Sequence, residues 1–330
     1  MSQALTLSLQ NKPTESVDFG SWYQRSALKR LVNRSDVFGF KKHTEFERSA
    51  FLFHQPQALP IAATQAVVDL PEFDSEYFWL CIDPVQMVPD RDTLVMFPPE
   101  SLAISDSERE QLKQAFNRHF SADGVQIQSG VSGRWYLSMP QKVDIQTIAL
   151  EQACYRNLHG LFPSGHAAAY WRSLMNEVQM LFFSHPVNQM RRDNGQAEIN
   201  SIWLWGEGKL NLEQVTQRPQ AGIFSDALYS QGMAQLTNAA YQFQPANYQA
   251  WWSQAEGLEH SLVELNLDWG DNADQVWQSL EESWFEPILQ GLQTKKLHSV
   301  LLDFTPQQGY LIEPGHLKRF WRWRNRLVLG

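Results

Sequence analysis

Two neighbouring stretches carry the side chains best suited to hold an oxyanion. Ser184-His185-Pro186-Val187-Asn188-Gln189-Met190-Arg191-Arg192-Asp193-Asn194-Gly195 is followed closely by Asn200-Ser201-Ile202-Trp203-Leu204-Trp205-Gly206-Glu207-Gly208. Asn188, Arg191 and Arg192 lie three and four residues apart, so a helix through them places them on one face. A guanidinium there can hold a phosphate or carboxylate in a two-pronged fork. His185 and Pro186 suit the start of that helix, whose first turn offers backbone N–H donors. Asn200 precedes a short apolar strand, and Gly206 and Gly208 follow it. They would bring backbone amides to the strand's C-terminal edge, where ligands collect in open α/β sheets. The pattern predicts a pocket for a phosphorylated or carboxylated small molecule at His185, Asn188, Arg191, Arg192, Asn200, Gly206 and Gly208. The competing reading is architectural: the asparagines tie loops together while Arg191 or Arg192 pairs with Glu177 or Asp193.

A second set could hold a divalent metal. Asp83, Asp90 and Asp92 surround one turn, and Asp303 stands with His298 and His316 near another; hard cations take carboxylates at strand ends. Asp83, Asp90, Asp92, Asp303 and His316 are therefore the candidate ligands. Against this, Pro89-Asp90-Arg91-Asp92 is ordinary turn chemistry, and no strict ligand spacing appears. There is no GxSxG elbow for a serine nucleophile. Cys81 and Cys154 read as small buried hydrophobes rather than nucleophiles. Lys318-Arg319-Phe320-Trp321-Arg322-Trp323-Arg324-Asn325-Arg326 interleaves aromatics with five cations, the composition that grips single-stranded nucleic acid. A docked amphipathic helix over Gly315–Leu327 explains the same residues.

These residues must be placed by surrounding elements. Helices are expected over 22–37, 59–70, 106–123, 166–183, 186–194, 221–236 and 273–292. Strands are expected at Tyr77–Ile82 (stopped by Asp83-Pro84), Thr93–Phe97, Val125–Gln128, Arg134–Leu137, Ile202–Trp205, His298–Asp303 and Gly309–Ile312. Strands alternating with helices predict an α/β protein, a mixed sheet flanked by helices. Residues 1–20 are polar and aperiodic, expected as a loose N-terminal arm. Residues 21–330 are expected to form a single globular unit with a soft boundary near 145–165.

The chain has 330 residues, a net charge of −9, thirteen tryptophans, nineteen phenylalanines and two cysteines. The negative charge argues against a surface made for nucleic acid or anionic lipid. Two isolated cysteines, no basic-then-apolar leader and no long apolar run predict a cytoplasmic protein without a membrane partner.

Trp79-Leu80-Cys81-Ile82-Asp83-Pro84-Val85, Gly133-Arg134-Trp135-Tyr136, and Asn176-Glu177-Val178-Gln179-Met180-Leu181 leading to His185-Pro186-Val187-Asn188 and Asn200-Ser201-Ile202-Trp203-Leu204-Trp205-Gly206 resemble the proteobacterial RpfE-type regulatory protein family. Members of that family are often described as phosphoglycerate mutase-like. The resemblance spans residues 75–330. It extends more distantly to archaeal-type cofactor-independent phosphoglycerate mutases, enzymes of the alkaline phosphatase-like class with two metals and a serine nucleophile. It implies a degenerate alkaline phosphatase-like fold. The chain departs from those enzymes in lacking the N-terminal Asp-Gly metal segment and the following serine. Near Asp303 it has Asp-Phe-Thr-Pro in place of an Asp-His pair. A regulatory protein binding a small anionic metabolite is the first expectation. A metal-dependent mutase or phosphatase is the second, and an accessory factor acting on protein or nucleic acid through residues 318–326 is the third.

Overall fold

A computed structural model of the chain describes residues 3–10, 21–39, 44–91, 93–270, 272–304 and 308–319. Among these are twelve strands: β1 (Gln3–Gln10), β2 (Asp36–Gly39), β3 (Phe78–Asp90), β4 (Thr93–Phe97), β5 (Ile127–Ser129), β6 (Trp135–Met139), β7 (Ser201–Lys209), β8 (Ala221–Phe224), β9 (Ala240–Gln242), β10 (His260–Asn266), β11 (Leu297–Asp303) and β12 (Gln308–Ile312). The chain divides into two compact units, one formed by residues 1–58 with 214–330 and the other by residues 59–213. The boundaries therefore differ from the expected one near 145–165. The second unit is an insertion between two halves of the first, and composition shows no break where such an insertion begins and ends.

The first unit is built on a seven-stranded sheet in the order β2-β12-β11-β1-β10-β8-β9. β11, β1, β10, β8 and β9 run parallel, and β12 and β2 add an antiparallel edge. Gln3–Gln10, expected within a loose arm, is thus a central strand; the arm's residues 11–20 lie outside the described residues. Its polar look comes from strict alternation. Leu5, Leu7 and Leu9 point to one face and Thr6 and Ser8 to the other, and all five are buried. The leucines enter a core with Val263, Leu265, Val300 and Leu302 and with the helices Ala27–Arg34, Tyr248–Gln254 and Ala273–Leu280. Helices Glu45–Leu52 and Leu228–Leu236 supply Arg48, Ser49 and Ser230 to the polar side groups of the sheet. Helices on both faces are what a buried parallel sheet requires.

Ala221–Phe224, expected at the start of a helix, is strand β8. A short apolar run buried on both faces has no period to tell strand from helix. The helix in that region begins at Leu228.

The second unit holds an antiparallel set of strands in the order β4-β3-β6-β5, with β7 also paired to β3. β3 runs through Asp83-Pro84 instead of stopping there. Beyond Cys81 it has lost its β6 partner and pairs with β7, so a residue without an N–H is tolerated. Ser105 caps the helix Asp106–His119 with Glu108 in a reciprocal box, as its sequence predicts. Eight tryptophans, including Trp79, Trp203 and Trp205, are almost wholly buried, so the aromatic excess fills cores. Among the described residues no helix is long and apolar enough to cross a membrane.

Candidate functional site

The helix Pro186–Asp193 forms as its sequence predicts, with His185 at the N-cap accepting the Val187 N–H at its Nδ1. Its side-chain donors, however, are committed to backbone carbonyls and carboxylates of the chain itself. Asn188 is fully buried; its Nδ2 donates to the carbonyls of Phe182 and Ile199, both at 2.8 Å, and its Oδ1 accepts the Ile199 N–H. Arg191, 1% exposed, donates from Nε to the Ala197 carbonyl at 2.9 Å, from Nη1 to Glu108 at 3.3 Å, and from Nη2 to the Leu102 carbonyl. Arg192 pairs with Glu198 at 2.7 Å and stacks over Phe183. Asn200 accepts the Met87 N–H and donates to the Met87 carbonyl, extending the β3–β7 pairing by one side-chain step.

Gly206 and Gly208 serve packing. A Cβ on Gly206, whose φ is +72°, would lie 3.1 Å from Ile61 Cβ, and one on Gly208 would lie 2.6 Å from Pro60 Cβ. The two glycines let the helix Ile61–Asp69 and the proline before it approach β7 closely. The seven residues therefore assemble as loop ties and a helix seat, the architectural alternative. The arginines' partners are Glu108 and Glu198 rather than Glu177 and Asp193.

The candidate metal ligands are divided between the two units. Asp83 and Asp90 lie in the second unit, Asp303 and His316 in the first, and Asp92 is outside the described residues. Asp83, 5% exposed, accepts from Arg134 at 3.3 Å and from the Trp205 indole. Asp90 stands exposed at the end of β3. His316 sits 3.5 Å from Asp36 and 3.7 Å from Glu313. Among the described residues no group of three or more His, Cys, Asp or Glu side chains has the geometry to hold a metal. Cys81 is buried, and burial pushes its thiol well above the usual range; Cys154 is pushed up to about 12 by burial and then by the charge of Glu151. Neither supplies a thiolate at neutral pH. Of the basic tail, Lys318 and Arg319 are described, and Arg319 pairs with Asp36 at 2.8 Å; residues 320–326 lie outside the described residues.

A polar cluster not anticipated as a whole lies at the C-terminal edge of the parallel strands. Ser8 stands in register between Glu264 of β10 and Asp303 of β11. Its hydroxyl donates to Asp303 at 2.7 Å, while Arg48 Nε donates to both Asp303 oxygens at 2.9 Å and Arg48 Nη2 to one of them. Glu264 accepts from the hydroxyls of Ser49 and Ser230 and, at 3.3 Å, from Gln10 Nε2. All but Gln10 are at least nine-tenths buried. A carboxylate held by a bidentate guanidinium and a hydroxyl is neutralised within the protein, and its lone pairs are occupied. The legible signal was the alternation Thr6, Ser8, Gln10 against Leu5, Leu7, Leu9, a polar face on a strand with no exposed side.

No protein-family model matches the chain. It is similar to a probable 2,3-bisphosphoglycerate-independent phosphoglycerate mutase of Geobacter sulfurreducens, 28% identical over 151 residues, which cover 46% of this chain and 37% of that protein. A 2,3-bisphosphoglycerate-independent phosphoglycerate mutase of Methanosarcina mazei is 24% identical over 107 residues, covering 32% of this chain and 27% of that protein. The match thus spans well under half the length of these curated relatives. Among solved structures, PH0037 protein from Pyrococcus horikoshii superposes with a TM-score of 0.53 at 10% identity, covering 94% of this chain and 87% of that one. The two share a fold. The cofactor-independent phosphoglycerate mutase from Thermoplasma acidophilum covers 100% of this chain and 96% of its own at a TM-score of 0.49 and 13% identity.

Proposed function

We propose that this chain is a non-catalytic, regulatory relative of phosphoglycerate mutases, of the RpfE type, that binds a small phosphorylated or carboxylated molecule. The similarity to proteins named for phosphoglycerate supports the ligand class. The observation that carries the non-catalytic reading is Asp303 at the C-terminal sheet edge, neutralised by Arg48 and Ser8. Phosphoryl transfer needs cationic groups free to meet charge that develops on the moving phosphoryl group. A guanidinium already forked onto a buried carboxylate is poorly placed for that role.

The test is direct. Purified full-length protein incubated with 3-phosphoglycerate and Mn²⁺ or Mg²⁺ is expected to show no isomerisation and no phosphate release. The same phosphoglycerate is expected to raise the melting temperature. Turnover that depends on added metal would overturn the proposal in favour of a metal-dependent mutase or phosphatase, and a flat melting response would overturn the binding reading itself.

A further inference from the structure

The opposite edge of the same sheet gathers three histidines, an arginine and a glutamate around one cavity. Where β1, β8, β10 and β11 begin, a cavity of about 510 Å³ is lined by His54, Arg218, Glu259, His260 and His298, among others. That size suits a small metabolite rather than a bare ion. We propose that this cavity binds the phosphate group of a small phosphorylated molecule, with Arg218 as the fixed cation and His54 as a proton-linked donor. This rests on the anion-binding reading above and assigns it a site.

Four observations converge. Arg218 lies over the Phe53 ring at 5.7 Å, and no carboxylate among the described residues forms an ion pair with it. Glu259, the one acid lining the cavity, faces the side-chain amide of Gln220, whose nitrogen donates to both its oxygens, at 3.0 and 3.3 Å, with the amide turned to satisfy them. His54 adopts a left-handed backbone, φ +59°, just past the helix Glu45–Leu52, a position glycine or asparagine takes at lower cost. That conformation sets its imidazole edge-on to His260, with centroids 5.1 Å apart. His260 is 8% exposed, bonded through Nε2 to Thr6 at 3.0 Å, with Nδ1 unpartnered.

Burial and the neighbouring cationic groups oppose protonation of the imidazoles here. Burial, then Arg218, holds His54 below the usual histidine range; burial, then His54, Arg218 and His298, holds His260 at about 3. Glu259 is the counter-charge among the lining groups. A bound phosphate offsets the repulsion, so His54 takes up a proton on binding and affinity rises as pH falls from 8 to 6. The fixed charge of Arg218 disfavours a divalent cation among the same imidazoles.

The experiment is calorimetry on the full chain with inorganic phosphate and, separately, 3-phosphoglycerate, at pH 6 and pH 8. Both ligands are expected to bind the wild type, about tenfold more weakly at pH 8. Arg218→Gln is expected to weaken phosphate at least tenfold, and Arg218→Lys, which keeps the charge without the fork, several-fold. His54→Asn tolerates the left-handed backbone, and is expected to reduce the pH dependence to that of the ligand's own ionisation while leaving the ligand-free melting temperature near the wild type's. If phosphoglycerate binds and all three variants bind it normally, the site is wrong and the proposed function stands. If inorganic phosphate binds through Arg218 but phosphoglycerate does not bind, the site stands and the metabolite class is wrong. Stabilisation by Zn²⁺ without phosphate binding overturns the proposal.

Discussion

Asn188 and Asn200 do with side-chain amides what a neighbouring strand does with its backbone: each presents a donor and an acceptor to a segment that would otherwise lack partners. Buried backbone groups must be paired, and a side-chain amide can serve two of them. Asn188→Ala is expected to cost roughly 2–4 kcal/mol by urea denaturation, because Phe182 and Ile199 lose their buried partner. Arg192→Ala, at a half-exposed pair, is expected to cost less than about 1 kcal/mol. Unchanged stability in Asn188→Ala, coupled with lost phosphoglycerate binding, would restore the pocket first expected there. At the other site, Arg48→Met leaves Asp303 buried without its guanidinium. It is expected to destabilise the protein by about 3–5 kcal/mol, with partial recovery in the double variant Arg48→Met/Asp303→Leu. Failure of the second substitution to recover any stability would show that Arg48 does not act through Asp303.

Among the elements, several with strong local signals were readable in advance. The Ser105 and Glu108 capping box, Pro186 after His185, and the β11–β12 pair stand where their residues place them. Of the elements missed or misplaced, β1, β8 and β10 belong to a parallel sheet buried on both faces, where neither alternation of exposure nor helical period survives; the helices Glu45–Leu52, capped by Thr44 and Glu47, and Tyr248–Gln254 were also not expected. The helices Ala273–Leu280 and Glu286–Gln293 are joined by a π-helical turn at Glu281–Phe285, another feature without a sequence period. There Glu281 reaches the first N–H groups of the helix Ala27–Arg34, 253 residues away in sequence for Leu28. Glycines separate by what they touch. Gly206→Ala brings a Cβ 3.1 Å from Ile61 at a positive φ, whereas Gly195→Ala, at φ +68°, meets nothing within 4 Å. Thermal denaturation is expected to show a loss of about 2–3 kcal/mol for Gly206→Ala and about 1 kcal/mol for Gly195→Ala. Equal losses would mean that contact with the Ile61–Asp69 helix contributes nothing.

At the scale of the molecule, the first unit joins residues 1–58 to 214–330, so its stability depends on both ends of the chain. His260, deep in that unit, makes this stability pH-dependent. Its folded value near 3 lies below the usual 6.5, so the unfolded chain binds its proton first as pH falls. The stabilisation is complete above about pH 6.5 and is lost progressively toward pH 3, a loss of roughly 3–5 kcal/mol. Urea midpoints at pH 7, 5 and 4 are expected to drop more steeply for the wild type than for His260→Gln; parallel curves would refute the assignment. Class, local helices and the antiparallel strands follow from composition and short-range pattern, because caps, turns and periodicity act within a few residues. Which polar groups are free to meet a ligand does not follow from such patterns. Arg191 next to Asn188 looks like a grip in sequence and is a loop tie in space, while Ser8, Arg48, Glu264 and Asp303, far apart in sequence, meet on one sheet edge. A hydrogen-bonding side chain takes its role from the partners brought to it, and those partners come from distant parts of the chain.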